Sequence, residues 1–533
     1  MPDAPSIEER LAALETQLSA LGAERDQYKK LYLEMLERCR KLELGILGQK
    51  REKLSAGDEQ MTLSLLEMML GRRDAAPEPP PEKTPVKAHD RAKPTGRKPI
   101  PDSLPRVHIE VHPPEVLQKG LDAFDKIGED VTETVEYRPG SLVVVASHKG
   151  KFAPKGRDRL GDNAGTILQA EPPELPIPGG LAGPGALART VVQRWDDHLP
   201  LYRLERIWGR EGWELARSTV CGWHEELAGL AQPLLDAMWE DALLAAYLCV
   251  DATGVLIQAP EKCRNGHFFV VAAPERHVLF RFTPRHDSAA VDEMLAGYKG
   301  YLVLDAHAVY DHLFGPGKAT ESACWAHNRR YYFKALGSDP VRARQALAFI
   351  KAIFKIEKEQ ATSPPEARLA VRKRDSKPIV DDFFAWCDAQ APVVLDETPI
   401  SKAIGYSTNQ REALRRFLED GRLPIHNNFS ERQLRREAVG RKNWLFVGSE
   451  DGGRTNATFV SLLASCQLHG IEPHGYLRDL FCLLPSWPVK RVLELAPVNW
   501  KKTLEDKDAQ QRLAANVFRK VSLGELVEHP STK

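Results

Sequence analysis

The stretch Ala245-Ala-Tyr-Leu-Cys-Val-Asp-Ala-Thr-Gly254 decides the fold, because an apolar run stops in it on a single carboxylate, Asp251. A second stretch, Gly300-Tyr-Leu-Val-Leu-Asp305, has the same form. Short β-rich runs that end abruptly on an acid are typical of buried strands that deliver a carboxylate to a sheet edge. We therefore predict two strands that carry Asp251 and Asp305, although an Asp at a strand end can also be a turn-forming residue.

A third acid, Glu431, lies in a helix-start pattern, Asn427-Asn-Phe-Ser-Glu-Arg432. Asn428 is a favourable N-cap, Glu431 follows it by three residues, and Gly440 could end the helix. A capping box alone would explain Glu431 without any chemistry. Two strand-borne acids and one helix-borne acid would also suit Mg²⁺, which prefers a few carboxylates together with water and substrate phosphates.

The elements between the acids predict how they are arranged. Antiparallel strands over 266–272 and 277–282 follow the Asp251 strand, and a helix over 288–298 leads to the Asp305 strand. A fifth strand over 321–327 leads into a helix over 328–336. The order β-β-β-α-β-α-β-α, with acids on the first and fourth strands and on a late helix, is that of ribonuclease-H-like nucleotidyl transferases. The predicted fold class is therefore α/β, with a mixed five-stranded sheet.

Five segments resemble one family of DDE transposases, the large transposase subunit of the insertion-sequence-sixty-six group. The segments are Val250–Gly254, Tyr301–Asp305, Cys324–Arg330, Asn427–Arg432 and Gly440–Ser449. The resemblance covers roughly residues 185–500. It implies that Asp251, Asp305 and Glu431 are the catalytic triad of a domain over 246–469, with a helical insertion over 331–424.

The chain departs from the family pattern at three places. His426 stands where the family usually has Asp, and the run after the second Asp reads Ala306-His307. The family also carries a cysteine-pair zinc ribbon, whereas region 106–170 here is ribbon-like but has no cysteine. The scattered His108, His112 and His148 do not supply four tetrahedral ligands by themselves, so we predict no structural zinc.

The resemblance implies metal-dependent cleavage and joining of DNA. We expect two Mg²⁺ ions, for which Mn²⁺ could substitute, with Asp251 bridging both and Asp305 and Glu431 each holding one. The expected partners are the terminal inverted repeats of the element, target DNA, further copies of the chain and small accessory proteins of the same element. Two alternatives remain open: a ribonuclease-H-like nuclease that does not join strands, and a catalytically idle DNA-bridging protein.

Cationic and aromatic side chains close to the acids are candidate DNA contacts. They are Arg329, Arg330, Arg432, Arg435, Arg436, Arg441, Lys442, Asn443 and Trp444. The alternative is that Trp444 is a core residue and that the arginines form salt bridges. His327 and Asn428 could contact the triad carboxylates and orient them. His327 could equally be a structural histidine.

Residues 1–48 carry apolar side chains at heptad spacing, with Leu14, Leu18 and Leu21 among them. We predict a dimerising coiled coil, and the alternative is an amphipathic helix packed on its own chain. Residues 49–105 form a predicted Pro-rich, basic linker. Its segment 91–99 resembles a loose AT-hook, although a solvated basic linker explains it as well.

The helical pattern of residues 185–245 predicts a helix-turn-helix-like DNA-binding region, and Ser218 is the start signal of its second helix. Helical hairpins also occur without DNA. Residues 470–533 predict a C-terminal helical element and tail.

Composition is compatible with these predictions. Lys plus Arg and Asp plus Glu number 74 each, so DNA binding would depend on local patches of charge. The 8 cysteines lack disulfide or metal spacing, which suits a reducing compartment. No apolar stretch reaches the length of a membrane helix, and we expect a cytoplasmic, nucleoid-associated protein with no membrane partner.

Overall fold

The computed structural model describes residues 7–46, 100, 102, 104–138, 140–154 and 167–525. It contains two compact units. The first unit comprises Met1–Lys93, Val303–Ala306 and Glu321–Asn427, and the second comprises Pro94–Leu302, His307–Thr320 and Asn428–Lys533. Apart from residues 100, 102, 104 and 105, the predicted linker lies outside the described residues.

The described helices, in chain order, are α1 (Ile7–Ile46), α2 (Pro114–Lys119), α3 (Pro184–Trp195), α4 (Leu201–Arg210), α5 (Arg217–Ala242), α6 (Ser288–Leu295), α7 (Trp325–Ala335), α8 (Pro340–Glu359), α9 (Pro365–Val371), α10 (Lys377–Gln390), α11 (Pro399–Asn409), α12 (Arg411–Arg415), α13 (Asn428–Trp444), α14 (Glu450–Leu468), α15 (Pro473–Leu483), α16 (Trp500–Thr503), α17 (Lys507–Ala515) and α18 (Val517–Ser522). The described strands are β1 (Arg106–Val111), β2 (Phe124–Arg138), β3 (Ser141–Pro154), β4 (Leu168–Gln169), β5 (Tyr247–Ile257), β6 (Arg264–Ala273), β7 (His277–Thr283), β8 (Tyr301–Leu304), β9 (Thr320–Ala323) and β10 (Phe446–Val447).

The ribbon-like region forms a small sheet of order β1-β3-β2, with β4 beside β3. β1 runs parallel to β3, and β2 and β3 form a long antiparallel hairpin. One face of this sheet packs Val143 and Val145 against Phe518 and Val521 of α18. The predicted C-terminal helical element therefore completes the core of this sheet.

The second sheet has the order β7-β6-β5-β8-β9, with β10 beside β5. The predicted antiparallel meander is confirmed, because Asp251 pairs with Val270, which pairs with Phe280. The Tyr301 N–H donates to the Ala246 carbonyl at 3.1 Å, where β8 begins. The sheet has one strand more than predicted, since β10 runs parallel to β5.

The prediction of a strand over 321–327 is wrong for the second half of that segment. β9 ends at Ala323 and α7 begins at Trp325, two residues later. The Trp325 indole is fully buried, and its Nε1–H donates to the Leu414 carbonyl at 2.8 Å. Burial of this large side chain on a helix outweighs the strand propensity of the run. After α7, the first unit continues with the helices α8 to α12, of which α8 and α11 pack against α7.

The helical region before β5 differs from a short helical hairpin. α4 ends at Arg210, but α5 continues for 26 residues, and Ala216 rather than Ser218 is its N-cap. Val220, Trp223 and Leu227 are buried along α5. The length of α5 therefore comes from an apolar face that continues far beyond the predicted turn.

Helix α1 covers most of the predicted coiled-coil segment and is continuous from Ile7 to Ile46. The apolar side chains described at its a and d positions are all more than half exposed: Leu14, Leu18, Leu21, Tyr28, Tyr32 and Met35. Lys30 forms an ion pair with Glu397 of the same unit. Pairing of α1 with a second helix stays a prediction.

Within the described ranges, none of the helices is both long enough and apolar enough to cross a bilayer.

A buried histidine in α5 makes the stability of the second unit depend on pH. His224 lies between Trp195 and Phe459, and its Nε2 is 3.0 Å from the Thr190 hydroxyl. Burial lowers the pKa of His224 to about 3 from an ordinary value near 6.5. Because the unfolded chain binds this proton more readily, the stability is present above pH 6.5 and is lost as the pH falls toward 3.

We expect the free energy of unfolding of the second unit to fall by about 1.5 kcal/mol for this group between pH 6.5 and 5. Urea unfolding at both pH values measures it, with His224→Gln as the comparison because it retains a polar group beside Thr190. The variant should show a smaller pH dependence. Equal losses in both proteins would contradict the assignment to His224.

Candidate active site

Asp251 lies in the middle of β5 and is half-buried. Its Oδ1 accepts a hydrogen bond from the Ala252 N–H at 2.8 Å, which restricts the orientation of the carboxylate. Side chains alternate between the two faces of a strand, so Asp251 and Thr253 project from the same face of β5.

The helix that carries Glu431 is attached to this face of the strand. Arg441, in the last turn of α13, donates from Nη1 to the Thr253 hydroxyl at 2.9 Å and also to the Gly254 carbonyl. Glu431 lies in the first turn of α13 and is half-buried. Asp251 and Glu431 are therefore carried by two elements that pack together within the second unit.

Two further polar contacts hold α13 in place. Arg436 forms an ion pair with Asp196 at 2.6 Å, after the end of α3. Glu437 is buried and accepts from the Asn456 side chain at 3.2 Å. Burial raises the pKa of Glu437 to about 7, and the hydrogen bond from Asn456 works against that rise. Together with Arg441, these contacts hold the C-terminal half of the helix.

The end of α13 differs from the prediction. The helix continues past Gly440 to Trp444, and the residue after it, Leu445, has the left-handed φ of 64° that ends many helices. A Cβ at Gly440 would lie 2.7 Å from Nε1 of Trp444. Gly440 is therefore a close-packing position inside the helix and not its stop.

Asp305 follows β8 directly, is half-buried and belongs to the first unit. The charge of Asp305 acts on Tyr406 of α11. Burial is the main cause that raises the pKa of Tyr406, and the negative charges of Asp305 and Glu321 raise it further. Sequence reasoning missed Tyr406, because nothing in the pattern of α11 marks it.

The three acids are suitable ligands for a hard cation. All three are half-buried carboxylates, and oxygen donors of this kind are what Mg²⁺ prefers. Across the described part of the chain, no group of three or more His, Cys, Asp or Glu side chains is arranged as a ready metal site. Asp305 belongs to one compact unit and the other two acids belong to the second. The triad and its metals therefore stay a prediction.

The candidate DNA contacts fall into three groups. Arg432, Arg435 and Lys442 are exposed on α13. In contrast, Arg436 and Arg441 are already engaged with Asp196 and with β5, as described above. The remaining candidates are half-buried: Arg329, Arg330, Asn443 and Trp444.

Trp444 has a cationic neighbour, because the Arg194 guanidinium lies 5.5 Å from its ring centroid. Asn428 is the first residue of α13, and His327 is half-buried in the first turn of α7. Their supporting roles stay predictions.

The small sheet brings together two of the three histidines that looked scattered in sequence. His108 Nδ1 and His148 Nε2 are 2.5 Å apart, and His148 Nδ1 is 2.7 Å from Glu129. Two imidazoles remain fewer than the four ligands of a structural zinc site. The expected absence of zinc stays a prediction.

Comparison with known families places most of the chain. The family model described as "Transposase IS66 family" matches residues 179–455, and "IS66 C-terminal element" matches residues 461–498. A third model, "Transposase C of IS166 homeodomain", matches residues 34–109. This last match covers the whole of the predicted linker. Sequence reasoning placed helical DNA recognition in 185–245 and found only the basic segment 91–99 in the linker.

Relatives from Sinorhizobium fredii (strain NBRC 101917 / NGR234) match three quarters or more of this chain. "Uncharacterized protein y4qI" is 30% identical over 526 residues, which cover 92% of this chain and 94% of the relative. "Uncharacterized protein y4hP" is 29% identical over 492 residues, which cover 87% and 88%. "Uncharacterized protein y4jD" is 27% identical over 424 residues, which cover 75% and 81%.

Proposed function

The chain belongs to the IS66 transposase family, and on that premise we propose that it binds the ends of an insertion sequence and catalyses metal-dependent strand cleavage and strand transfer. The observation that supports this proposal is the attachment of the Glu431 helix, through Arg441, to the strand face that carries Asp251. Two acids of the proposed triad thereby lie on elements that are braced against each other.

The proposed triad consists of Asp251, Asp305 and Glu431 in a ribonuclease-H-like catalytic domain. When bound, two Mg²⁺ ions would supply Lewis-acid stabilisation of the attacking and leaving oxygens of the phosphodiester. The three carboxylates would hold these ions.

The remaining residues position the acids and the DNA. The Ala252 N–H orients the Asp251 carboxylate, and the contacts of Arg436 with Asp196 and of Glu437 with Asn456 hold α13 in place. The exposed Arg432, Arg435 and Lys442 would bind the phosphates of the DNA backbone. Residues 34–109 match a family model whose description includes a homeodomain. This match favours a second DNA contact in the N-terminal part of the chain.

The test of this function uses labelled duplexes taken from the two flanks of the gene, supercoiled target DNA and Mg²⁺. Products in which a labelled end is joined to the target support transposition. Nicks without joining would favour the alternative nuclease, and binding without cleavage would favour an idle DNA-bridging protein.

We also propose that α1 pairs with α1 of a second copy as a coiled coil. Its described a and d side chains are exposed, with Leu18 at 71% and Leu21 at 64%, and burying such a seam would stabilise a dimer. A dimer suits a protein that must hold two DNA ends together.

Replacing Leu18 and Leu21 together with Asp should convert the dimer to a monomer, because each chain would bring two unpaired charges into the shared seam. Sedimentation of the full-length chain measures the change. Ser19→Asp places a charge in the same turn outside the seam and should leave the dimer intact. If the Leu18→Asp, Leu21→Asp variant keeps the wild-type mass, α1 is not the dimer contact.

A further inference from the structure

Tyr331 of α7 and Tyr406 of α11 form a stacked aromatic pair in the first unit. Their ring centroids are 4.5 Å apart and their planes differ by 23°. Tyr331 remains 37% exposed, whereas the adjacent Tyr332 is fully buried and packs against Phe383. The contact between α7 and the insertion core is thus made by Tyr332, and the Tyr331 ring lies outside that core.

A cationic side chain, Lys334, lies beside the Tyr331 ring. Tyr331 and Lys334 are three residues apart on α7 and therefore neighbours on one helix face. The Lys334 Nζ is 5.6 Å from the Tyr331 ring centroid, and the lysine is exposed. An exposed ring beside an exposed ammonium matches a nucleotide, whose base has a flat π face and whose phosphate is anionic.

The stack also has polar groups without an assigned role. The hydroxyl of Tyr406 on α11 and the Oε1 of Gln410, the residue directly after α11, are buried and have no hydrogen-bond partner among the described residues. Buried polar atoms of this kind need an explanation, and an absent ligand is one. Burial raises the pKa of the Tyr406 hydroxyl most, and the negative charge of Asp305 raises that pKa further.

We propose that the Tyr331–Tyr406 stack binds an unpaired nucleobase of the DNA strand next to the cleavage site. The inference rests on the proposed function, because Asp305 follows β8 and the helix of Tyr331 follows β9, the strand beside β8. The base stacks on the Tyr331 ring, Tyr406 supports that ring from its other side, and Lys334 binds the neighbouring phosphate. Stacking accepts any base, so the site acts on DNA structure and not on sequence.

The experiment compares two probes: a blunt duplex, and the same duplex with a short single-stranded tail of arbitrary sequence. Binding to the full-length chain is measured by fluorescence anisotropy without divalent metal, so that cleavage does not interfere. In the wild type, the tail should increase affinity about tenfold, which is the usual contribution of a stacked base. Tyr331→Leu should lose this increase and keep its affinity for the blunt duplex.

Conservative variants separate stacking from folding. Tyr331→Phe and Tyr406→Phe keep both rings and should keep most of the tail-dependent affinity. Val341→Ser, at an exposed position of α8 in the same unit, should also keep it. A second measurement avoids substitutions altogether: 5-iodouracil in the tail should crosslink to the peptide that contains Tyr331.

Three outcomes decide between the proposals. A tail that adds no affinity, or a Tyr331→Leu variant that binds the tail as tightly as the wild type, overturns the stacking site and leaves the proposed function standing. Crosslinks confined to other peptides have the same meaning. If neither probe binds, the proposed function fails and the stacking site fails with it.

Discussion

Asp251→Asn, Asp305→Asn and Glu431→Gln should each reduce Mg²⁺-dependent strand cleavage by about a thousandfold or more. Each substitution keeps the size of the side chain but replaces a charged oxygen ligand with a neutral amide. The loss of one ligand weakens the hold on a metal whose charge stabilises the reacting oxygens. Cleavage of end-labelled DNA, followed over time at saturating Mg²⁺, measures the effect.

The matching measurement is DNA binding. All three variants should bind labelled ends at least as tightly as the wild type, because each removes a negative charge from the proposed DNA-binding site. Glu261→Gln makes the same chemical change at an exposed position between β5 and β6, and it should cleave at the wild-type rate. A triad variant that keeps more than about a tenth of the wild-type rate would remove that acid from the triad.

The strand framework around Asp251 could be predicted from the sequence because it depends on local patterns. The apolar run before Asp251 and the turn-rich Ala273-Pro-Glu-Arg276 are short-range signals, and the meander they predict is present. The start of α13 was predictable to within one residue, since Asn favours the N-cap position. Asn428 was the predicted N-cap, but it is the first residue of the helix, so the cap position falls on Asn427.

The roles of the arginines on α13 could not be predicted, because they depend on tertiary partners. Arg432, Arg435, Arg436 and Arg441 have the same chemistry and lie in one helix. Only the fold brings Asp196 to Arg436 and Thr253 to Arg441, across 240 and 188 residues of sequence. Gly440 failed as a stop signal for the same reason, since its lack of a side chain serves packing against Trp444.

The helical insertion depends on one buried cation, and its removal should have the largest effect on stability. Arg372 is fully buried in a π-helical turn, Arg372–Ser376, between α9 and α10. It donates twice to Glu357 of α8, at 2.8 and 2.6 Å. Its other three N–H groups donate at 2.8–2.9 Å to the carbonyls of Phe417, Asp420 and Leu423.

All five guanidinium donors are therefore used, and one side chain joins α8, the π-helical turn and the segment after α12. Arg372→Met fills a similar volume but leaves Glu357 as an unpaired carboxylate, with its side chain only 13% exposed. Breaking a buried pair in this way costs about 3–5 kcal/mol. We expect the free energy of unfolding of the insertion helices to fall by that amount, as measured by hydrogen exchange of their backbone amides.

The matched control lies two residues away in the same turn. The side chain of Arg374 is 74% exposed, and its ion-pair partner among the described residues is the adjacent Asp375, so Arg374→Met should change stability by less than about 0.5 kcal/mol. Adding Glu357→Met to Arg372→Met should recover part of the loss, because the stranded charge is then removed. If Arg372→Met and Arg374→Met exchange their amides alike, the insertion does not depend on Arg372, and its helices are held by apolar packing around Trp325 and Phe383.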